Sequence, residues 1–195
     1  MEISGNELRA LNFYRVTALH GGRILADLAP RMRDARVLVN LTRHAADLLV
    51  HAHIWSETIL AVGGQLRHIP ETYQHRFQSF AGPPPTFLHF VIATQTIERR
   101  VYRHFLDHIR RPGTHRRVQA TLYRMIEDER HHLVWLKDWL DERVAAGGLS
   151  IESIFDRYAE VDARVYADLL REYGWAKGEA RFAAGAASES VIPRR

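Results

Sequence analysis

The sequence predicts an all-α protein, a bundle of four long helices followed by a fifth helix at the carboxyl end. Glycine and proline fall in a few clusters, and the intervals between them repeat apolar residues at spacings of three and four, which is helical periodicity. The 195 residues are 46% hydrophobic and 26% charged. These values are typical of one folded domain and exclude a disordered or collagenous chain.

Five segments carry the helical periodicity, and we name them helices A to E. A glycine pair at 147–148 separates helices D and E, and Ser150 is the predicted N-cap of helix E, with Glu152 in its first turn. We expect one domain over residues 1–174 and a flexible tail over 175–195, which is rich in Ala, Gly, Ser and Arg. The core bundle covers about 7–146, with helix A at about 7–28, B at 35–62, C at 86–109, D at 116–146 and E at 150–173.

The connections between the helices predict how the bundle is threaded. The links between A and B, at 30–33, and between C and D, at 111–114, are short, so each pair forms an antiparallel hairpin. About twenty residues, from Gly63 to Pro85, connect B to C, enough chain to travel the length of the bundle and return. One long crossover between two hairpins is the ferritin-like arrangement of a four-helix bundle. With this connectivity we expect helices A and C to be parallel.

Composition excludes several kinds of site. The chain has no cysteine, which excludes disulfides, thiolate zinc sites, iron–sulfur clusters and a cysteine nucleophile. Any metal ion must therefore be held by carboxylates and by some of the 12 histidines. The net charge of +4 is a weak indication of a nucleic-acid partner. Neither a signal peptide nor a membrane span is predicted, so we expect a cytoplasmic protein without a membrane partner.

Charged residues on the inner faces of helices C and D are the strongest functional signal. Glu129 and His132 fall within the apolar stripe of helix D, and Glu98 falls in the middle of that of helix C. An unpaired carboxylate in a bundle core is destabilising, so a ligand or partner must compensate for its burial. Glu98 and Glu129 lie almost equally far in sequence from Gly113 in the C–D turn, which places them at one level of the bundle. Carboxylate and imidazole together suit iron or manganese, and the i, i+3 spacing directs Glu129 and His132 at one point.

Helix B supplies the opposite side of this level. His51 lies on its inner face, but the residue three before it is Leu48, and the level position on helix A is Ala18. Asp47, four residues before His51, and His44, seven before it, are candidates for an additional ligand or for a hydrogen bond to a ligand.

Each candidate also has a purely structural interpretation. Glu129 and His132 could belong to an exposed charge cluster at 127–132, Glu98 could be neutralised by Arg99 or Arg100, and His51 could be a packing residue. Surface or loop roles are expected for the histidines outside this level, and His20 is expected to face away from the centre. Those outside the level are His68, His75, His104, His108 and His115.

The stretches around 19–22, 44–52, 97–100 and 126–133 resemble the ferritin-like superfamily, over about residues 7–146. The resemblance is to small bacterial ferritin-like domains related to rubrerythrin and to the tRNA-hydroxylase branch. It implies a di-iron site with the ligand order Glu, Glu-x-x-His, Glu, Glu-x-x-His. His51, Glu98, Glu129 and His132 match this order, whereas Ala18 and Leu48 stand where the family has Glu.

These observations predict a non-haem iron or manganese oxidase or oxygenase that acts with O2 on a small organic substrate. Glu98, Glu129 and His132 would hold one ion, and His51, with Asp47 or water, a weaker second one, giving one or two ions per chain. A tRNA base is an alternative substrate. A second hypothesis is a degenerate bundle that acts as a metal-free binding or scaffold protein, and a third is iron storage. Helix E either packs on the bundle or forms a homodimer contact.

Overall fold

The all-α prediction is confirmed by a computed structural model, which describes residues 3–147 and 150–174. Within these residues the chain forms six α-helices and one short 3-10 helix, with no strand. Both ends of each of the five predicted helices lie within two residues of the ends of an observed helix. The predicted flexible tail lies outside the described residues. The elements are α1 (Gly5–Leu28), the 3-10 helix (Ala29–Arg31), α2 (Ala35–Ala61), α3 (Tyr73–Ala81), α4 (Phe87–Arg110), α5 (Arg116–Gly147) and α6 (Glu152–Glu172).

Side-chain caps explain where several helices begin. Ser4 accepts a hydrogen bond from the backbone N–H of Glu7 at the start of α1, and Asp34 does the same for α2. Each cap pairs a backbone donor that the first helical turn leaves free. The predicted cap of the last helix was wrong: Ile151 is the N-cap residue of α6 and makes no side-chain cap. The hydroxyl of Ser150 instead donates to the Glu152 carboxylate at 2.7 Å.

Helix α3, within the long crossover, was not predicted. Thr72 begins it with a capping box closed by His75, and Gly82 ends it with a φ of 73°. Tyr73, Phe77 and Ala81 are its buried residues, spaced by four on a single face. A helix of nine residues contains only two repeats of this pattern, too few to separate it from an irregular link by periodicity.

The observed threading differs from the prediction at one point: α1 and α4 are antiparallel, not parallel. Glu7, at the start of α1, contacts His108 near the end of α4, whereas Tyr14, two turns later, contacts His104, one turn earlier. The crossover therefore travels the length of the bundle once and does not return. The two hairpins, α1 with α2 and α4 with α5, also meet along α2 and α5. These helices are antiparallel, because His44 contacts Trp135 whereas Thr58, later in α2, contacts Thr121, earlier in α5.

The last helix packs on the same chain. α6 lies against α3 and α4, and Tyr158, Val165 and Leu169 on its apolar stripe are buried there. The carboxylate of Asp162 accepts hydrogen bonds from Arg100 of α4 and from the hydroxyl of Tyr73 of α3. The buried carboxylate of Asp162 therefore links α6 to α3 and α4. A homodimer contact through α6 stays a prediction.

Among the described helices, none is both long and apolar enough to cross a bilayer.

Candidate metal centre

Three helices place five titratable side chains together in the middle of the bundle. α2 contributes His44 and His51, α4 contributes Glu98, and α5 contributes Glu129 and His132. Their exposed fractions lie between 1% and 6%. The four residues predicted as ligands from the sequence are therefore brought together, and Glu98 and Glu129 lie at one level, as the counting from Gly113 implied. Their role as ligands stays a prediction.

The tightest group in this cluster consists of His44, Glu98 and His132. Each offers one ligand atom, and the three atoms lie within 4.8 Å of one another. His44 Nε2 is 3.2 Å from Glu98 Oε1, and His132 Nδ1 is 3.9 Å from Glu98 Oε2. The sequence assigned His44 only a secondary role, although it lies on the inner face of α2 one heptad before His51. The structure therefore moves His44 to the centre of the group.

Trp135 determines the protonation pattern of His44. The indole N–H is 3.3 Å from His44 Nδ1 and can only donate, so Nδ1 accepts and the proton of the neutral ring is on Nε2. Burial and the neighbouring His132 lower the pKa of His44, which keeps the ring neutral. His44 Nε2 therefore donates to the Glu98 carboxylate.

His132 has a carboxylate on each ring nitrogen. Its Nε2 is 3.2 Å from Asp47 Oδ2, and its Nδ1 is 3.4 Å from Glu129 Oε2. Burial opposes protonation of His132, but hydrogen bonds to Asp47, Glu129 and Glu98 raise its pKa well above the usual value. The same hydrogen bond to His132 lowers the pKa of Asp47. Asp47 thus accepts the hydrogen bond of Nε2, the outer ring nitrogen of His132. The other nitrogen, Nδ1, faces Glu98 and Glu129.

His51 forms the second half of the cluster. Its Nδ1 lies 3.5 Å from Glu129 Oε1 and its Nε2 lies 3.0 Å from Asp128 Oδ2. Burial would lower the pKa of His51, but the hydrogen bonds to Glu129 and Asp128 raise it. Glu129 therefore stands between His51 and His132. The contribution of Asp128, which is half exposed, was not predicted from the sequence.

Opposite charges are paired within this cluster. Burial would raise the pKa of Glu98, but hydrogen bonds from His132 and His44 hold it well below the usual range, so Glu98 is ionised. Protons on His51 and His132, whose pKa values are raised, then place positive charge next to Glu98 and Glu129. A divalent cation bound in the same place would displace such protons, which is how metal binding to imidazole and carboxylate ligands is coupled to pH.

Two structural interpretations from the sequence are wrong. Glu129 and His132 are each only 1% exposed, which excludes a solvated charge cluster. Glu98 is not neutralised by its arginine neighbours, because Arg100 pairs with Asp162 and Arg99 lies over the ring of Phe155. The partners of Glu98 are imidazoles instead.

The two positions where a full di-iron site would have Glu border a cavity. Ala18 and Leu48 line an apolar space of about 70 Å³ together with His51, Glu98 and Glu129. The cluster therefore has open space beside it at these two positions. A separate cleft of about 320 Å³ between α2 and α5 reaches His44, Asp47 and His132 from the opposite side and is lined by both polar and apolar groups.

A second buried polar network lies between α1 and α4. From the sequence, its histidines were assigned to the surface or to loops. That assignment was wrong for His104 and His108, which are 6% and 3% exposed. The hydroxyl of Tyr14 lies 2.5 Å from His104 Nε2 and 3.0 Å from His108 Nδ1, and His108 Nε2 lies 3.4 Å from Glu7. The i, i+4 spacing of these histidines around inner-face Phe105 was the signal available in the sequence.

His20 lies away from the cluster, as expected, with its Nδ1 2.7 Å from the hydroxyl of Thr72.

Comparison with known proteins gives no match: no family model, no curated protein and no solved structure is significantly similar to this chain. The functional argument therefore depends on the geometry of the cluster.

Proposed function

We propose that this protein is a non-haem metalloenzyme that uses O2 to oxidise a small organic substrate, on a bundle of the ferritin-like type. The observation that carries the proposal is the buried group of His44, Glu98 and His132, whose ligand atoms lie within 4.8 Å of one another. Iron is the proposed ion, with manganese as the alternative.

The donor set supports this assignment. Two imidazoles and one carboxylate with open coordination positions are typical of non-haem ferrous oxygenases. A bound ferrous or manganous ion would supply the one-electron chemistry toward O2 that side chains lack.

The surrounding residues prepare the ligands. Asp47 orients His132 through its outer nitrogen, as carboxylates commonly do for metal-binding histidines. Glu129 is shared between His132 and His51, so it can serve the first ion or a weaker second one. The sequence-based assignment grouped Glu98 and Glu129 with His132 around one ion. The geometry favours His44 as the third ligand, and His51 with Glu129 as the second half.

The cleft and the cavity support an open, reactive site. The cleft between α2 and α5 extends inward to His44 and His132, which line it. The apolar cavity on the other side, at Ala18 and Leu48, leaves room next to Glu98 and Glu129. A site used only for structure would be closed by a full set of protein ligands.

Metal counting after anaerobic loading tests the proposal. We expect one tightly bound ferrous ion per chain, a weaker second ion, and O2 uptake by the loaded protein when a reductant is present. His44→Ala and His132→Ala should each abolish tight binding, whereas His51→Ala should remove only the weaker ion. His53→Ala, which alters an exposed histidine on the same helix as His51, is the matched control and should bind as the wild type does.

Two results would contradict the proposal. The first is a folded, helical wild type that retains no ion after loading. The second is equal loss of metal in His132→Ala and His53→Ala, because this would mean that binding is adventitious.

A metal-free binding or scaffold protein is the second candidate. The observation that favours it is that each of the five buried groups already has a partner within the chain: His44 with Glu98, and Glu129 with both His51 and His132. A fully paired network does not require a metal ion for stability. The first contradicting result above would support this candidate. A tRNA substrate stays a prediction.

A further inference from the structure

Three side chains of the second buried network converge on one point. They are Tyr14 of α1 and His104 and His108 of α4, and we call them the Tyr14 group. The hydroxyl oxygen of Tyr14 lies 2.5 Å from His104 Nε2 and 3.0 Å from His108 Nδ1. The two histidines are four residues apart, the spacing at which successive turns of a helix direct two imidazoles at one ligand. One phenol oxygen and two imidazole nitrogens therefore face one another inside the bundle.

Oxygen atoms hold the outer nitrogens of both imidazoles. His108 Nε2 lies 3.4 Å from Glu7 Oε1, and His104 Nδ1 lies 3.0 Å from the hydroxyl of Tyr166. Because a carboxylate only accepts, Glu7 favours the tautomer of His108 that has its proton on Nε2 and the lone pair of Nδ1 directed at Tyr14. The hydroxyl of Tyr166 can accept from His104 Nδ1 in the same way. Histidines that bind metal ions typically have such a partner on the outer nitrogen.

We propose that the Tyr14 group is a second metal site, which binds one divalent ion of the zinc and copper class. The ligand atoms would be His104 Nε2, His108 Nδ1 and the oxygen of Tyr14. Imidazole suits zinc and copper, and tyrosine is also used as a metal ligand in proteins. Binding forms a bond between the ion and the phenolate oxygen and releases the phenol proton to solvent. The inference goes beyond the proposed function, because it uses none of the residues of the first cluster.

The spacing within the Tyr14 group is close to what such an ion needs. Zinc lies about 2.0 Å from its nitrogen and oxygen ligands, so the ligand atoms of a tetrahedral site are about 3.3 Å apart. Tyr14 and His108 already have nearly this separation, whereas Tyr14 and His104 would have to move apart by about 0.8 Å. Both of these residues line the 70 Å³ cavity, which gives their side chains room to move.

The charges around the Tyr14 group compensate for a divalent ion. The phenolate and the carboxylate of Glu7 would place two negative charges next to it, which reduces the cost of burying a cation. The guanidinium groups of Arg100 and Arg111, which also lie near His104, oppose binding. Arg100 is paired with Asp162, and this pairing weakens its effect.

Copper titration followed by visible absorption tests the inference. A phenolate bound to Cu2+ gives a charge-transfer band, and none of the five side chains of the first cluster is a tyrosine, so the band reports on the Tyr14 group. The titration uses full-length His132→Ala, in which the first cluster has lost a proposed ligand. We expect a band that saturates at one Cu2+ per chain. Excess Zn2+ should raise the copper concentration that saturation requires.

Three variants in this background locate the site. Tyr14→Phe keeps the packed ring and removes the oxygen, so the band should disappear. Tyr123→Phe is the matched control, because this tyrosine is 62% exposed on α5, and it should keep the band. Glu7→Gln changes no ligand, so the band should stay at the same wavelength while copper affinity falls about tenfold, the effect of losing the partner of a ligand.

Circular dichroism checks that each variant is folded. If Tyr14→Phe fails to fold, pulsed electron paramagnetic resonance of the copper-loaded His132→Ala protein still decides the question. We expect it to detect two imidazole ligands, as His104 and His108 would provide.

Four results would overturn the inference: no phenolate band, a band that persists in Tyr14→Phe, equal loss of the band in Tyr123→Phe, or a copper form without two imidazole ligands. Iron loading of Tyr14→Phe reports on the first cluster alone and so separates the two proposals. Iron retained by this variant, with no phenolate band in His132→Ala, contradicts only the second site. A phenolate band in His132→Ala, with no iron retained by Tyr14→Phe, contradicts only the proposed function.

Discussion

The imidazole rings of His44 and His132 stack with their centroids 3.7 Å apart, although they come from different helices. Their pKa values shift in opposite directions, because burial and His132 lower that of His44, whereas three carboxylates overcome burial and raise that of His132. A neutral ring therefore lies on a charged one. The two rings meet at the carboxylate of Glu98, which is the relationship that the proposed metal site uses.

Asp47 is expected to strengthen metal binding without being a ligand. Asp47→Asn removes the negatively charged partner of His132 Nε2. Ferrous binding should weaken about tenfold, the usual effect of losing such a partner. Competition with a chelator measures the affinity. Asp138→Asn, an exposed change on α5, is the control. Complete loss of binding in Asp47→Asn would show that Asp47 is itself a ligand.

Trp135 is expected to oppose metal binding. Its indole N–H occupies Nδ1 of His44 and keeps the proton on Nε2, the atom that faces Glu98. Trp135→Phe lets the proton move to Nδ1, so ferrous affinity should rise about fivefold, corresponding to one neutral hydrogen bond. The same chelator competition measures it. Weaker binding in this variant would mean that the indole instead holds the ring in the geometry needed for ligation.

Two substitutions should complete the second half of the site. Ala18 and Leu48 line the cavity beside His51 and Glu129, so Ala18→Glu combined with Leu48→Glu places carboxylates where the ferritin-like order has them. We expect two tightly bound ions per chain. Without metal the two added carboxylates would be buried unpaired, so the melting temperature should fall and then recover when iron is added. A stoichiometry that stays at one ion would contradict the assignment of these positions to the level of the cluster.

The lowered pKa of His104 predicts that the protein loses stability at acidic pH. Burial, together with the charges of His108, Arg111 and Arg100, lowers the pKa of His104 well below the usual value. Because the folded pKa is depressed, the folded state binds fewer protons than the unfolded chain once the pH falls below about 6.5. The free energy of unfolding should then fall by up to about 1.4 kcal/mol for each pH unit from this residue alone.

Urea denaturation of the wild type and of His104→Gln, at several pH values from 8 to 5, measures the effect. His104→Gln loses the hydrogen bond to Tyr14 and should be less stable at pH 8, but its disadvantage should shrink toward pH 5. Comparing the two proteins cancels the contributions of His51 and His132, whose raised pKa values act in the opposite direction. A difference that is constant with pH would contradict the prediction.

Much of the local structure was predictable because it depends on neighbours in sequence. The periodic apolar residues placed five helices to within two residues, and the same periodicity put Glu98, Glu129 and His132 on inner faces. α3 was missed because it is short. His104 and His108 were missed because their partners, Tyr14 and Glu7, are on α1.

The sequence by itself determined the helices, their inner faces and the level at which the buried charges meet, since helical geometry converts residue spacing directly into direction and height. The tertiary structure alone decided that α1 and α4 are antiparallel, that His44 joins Glu98 and His132, and that Asp47 lies on the outer nitrogen of His132. These relationships depend on the path of the crossover and on side-chain positions across helix interfaces. Periodicity within one helix contains no information about either, because both are set by how the separate helices pack.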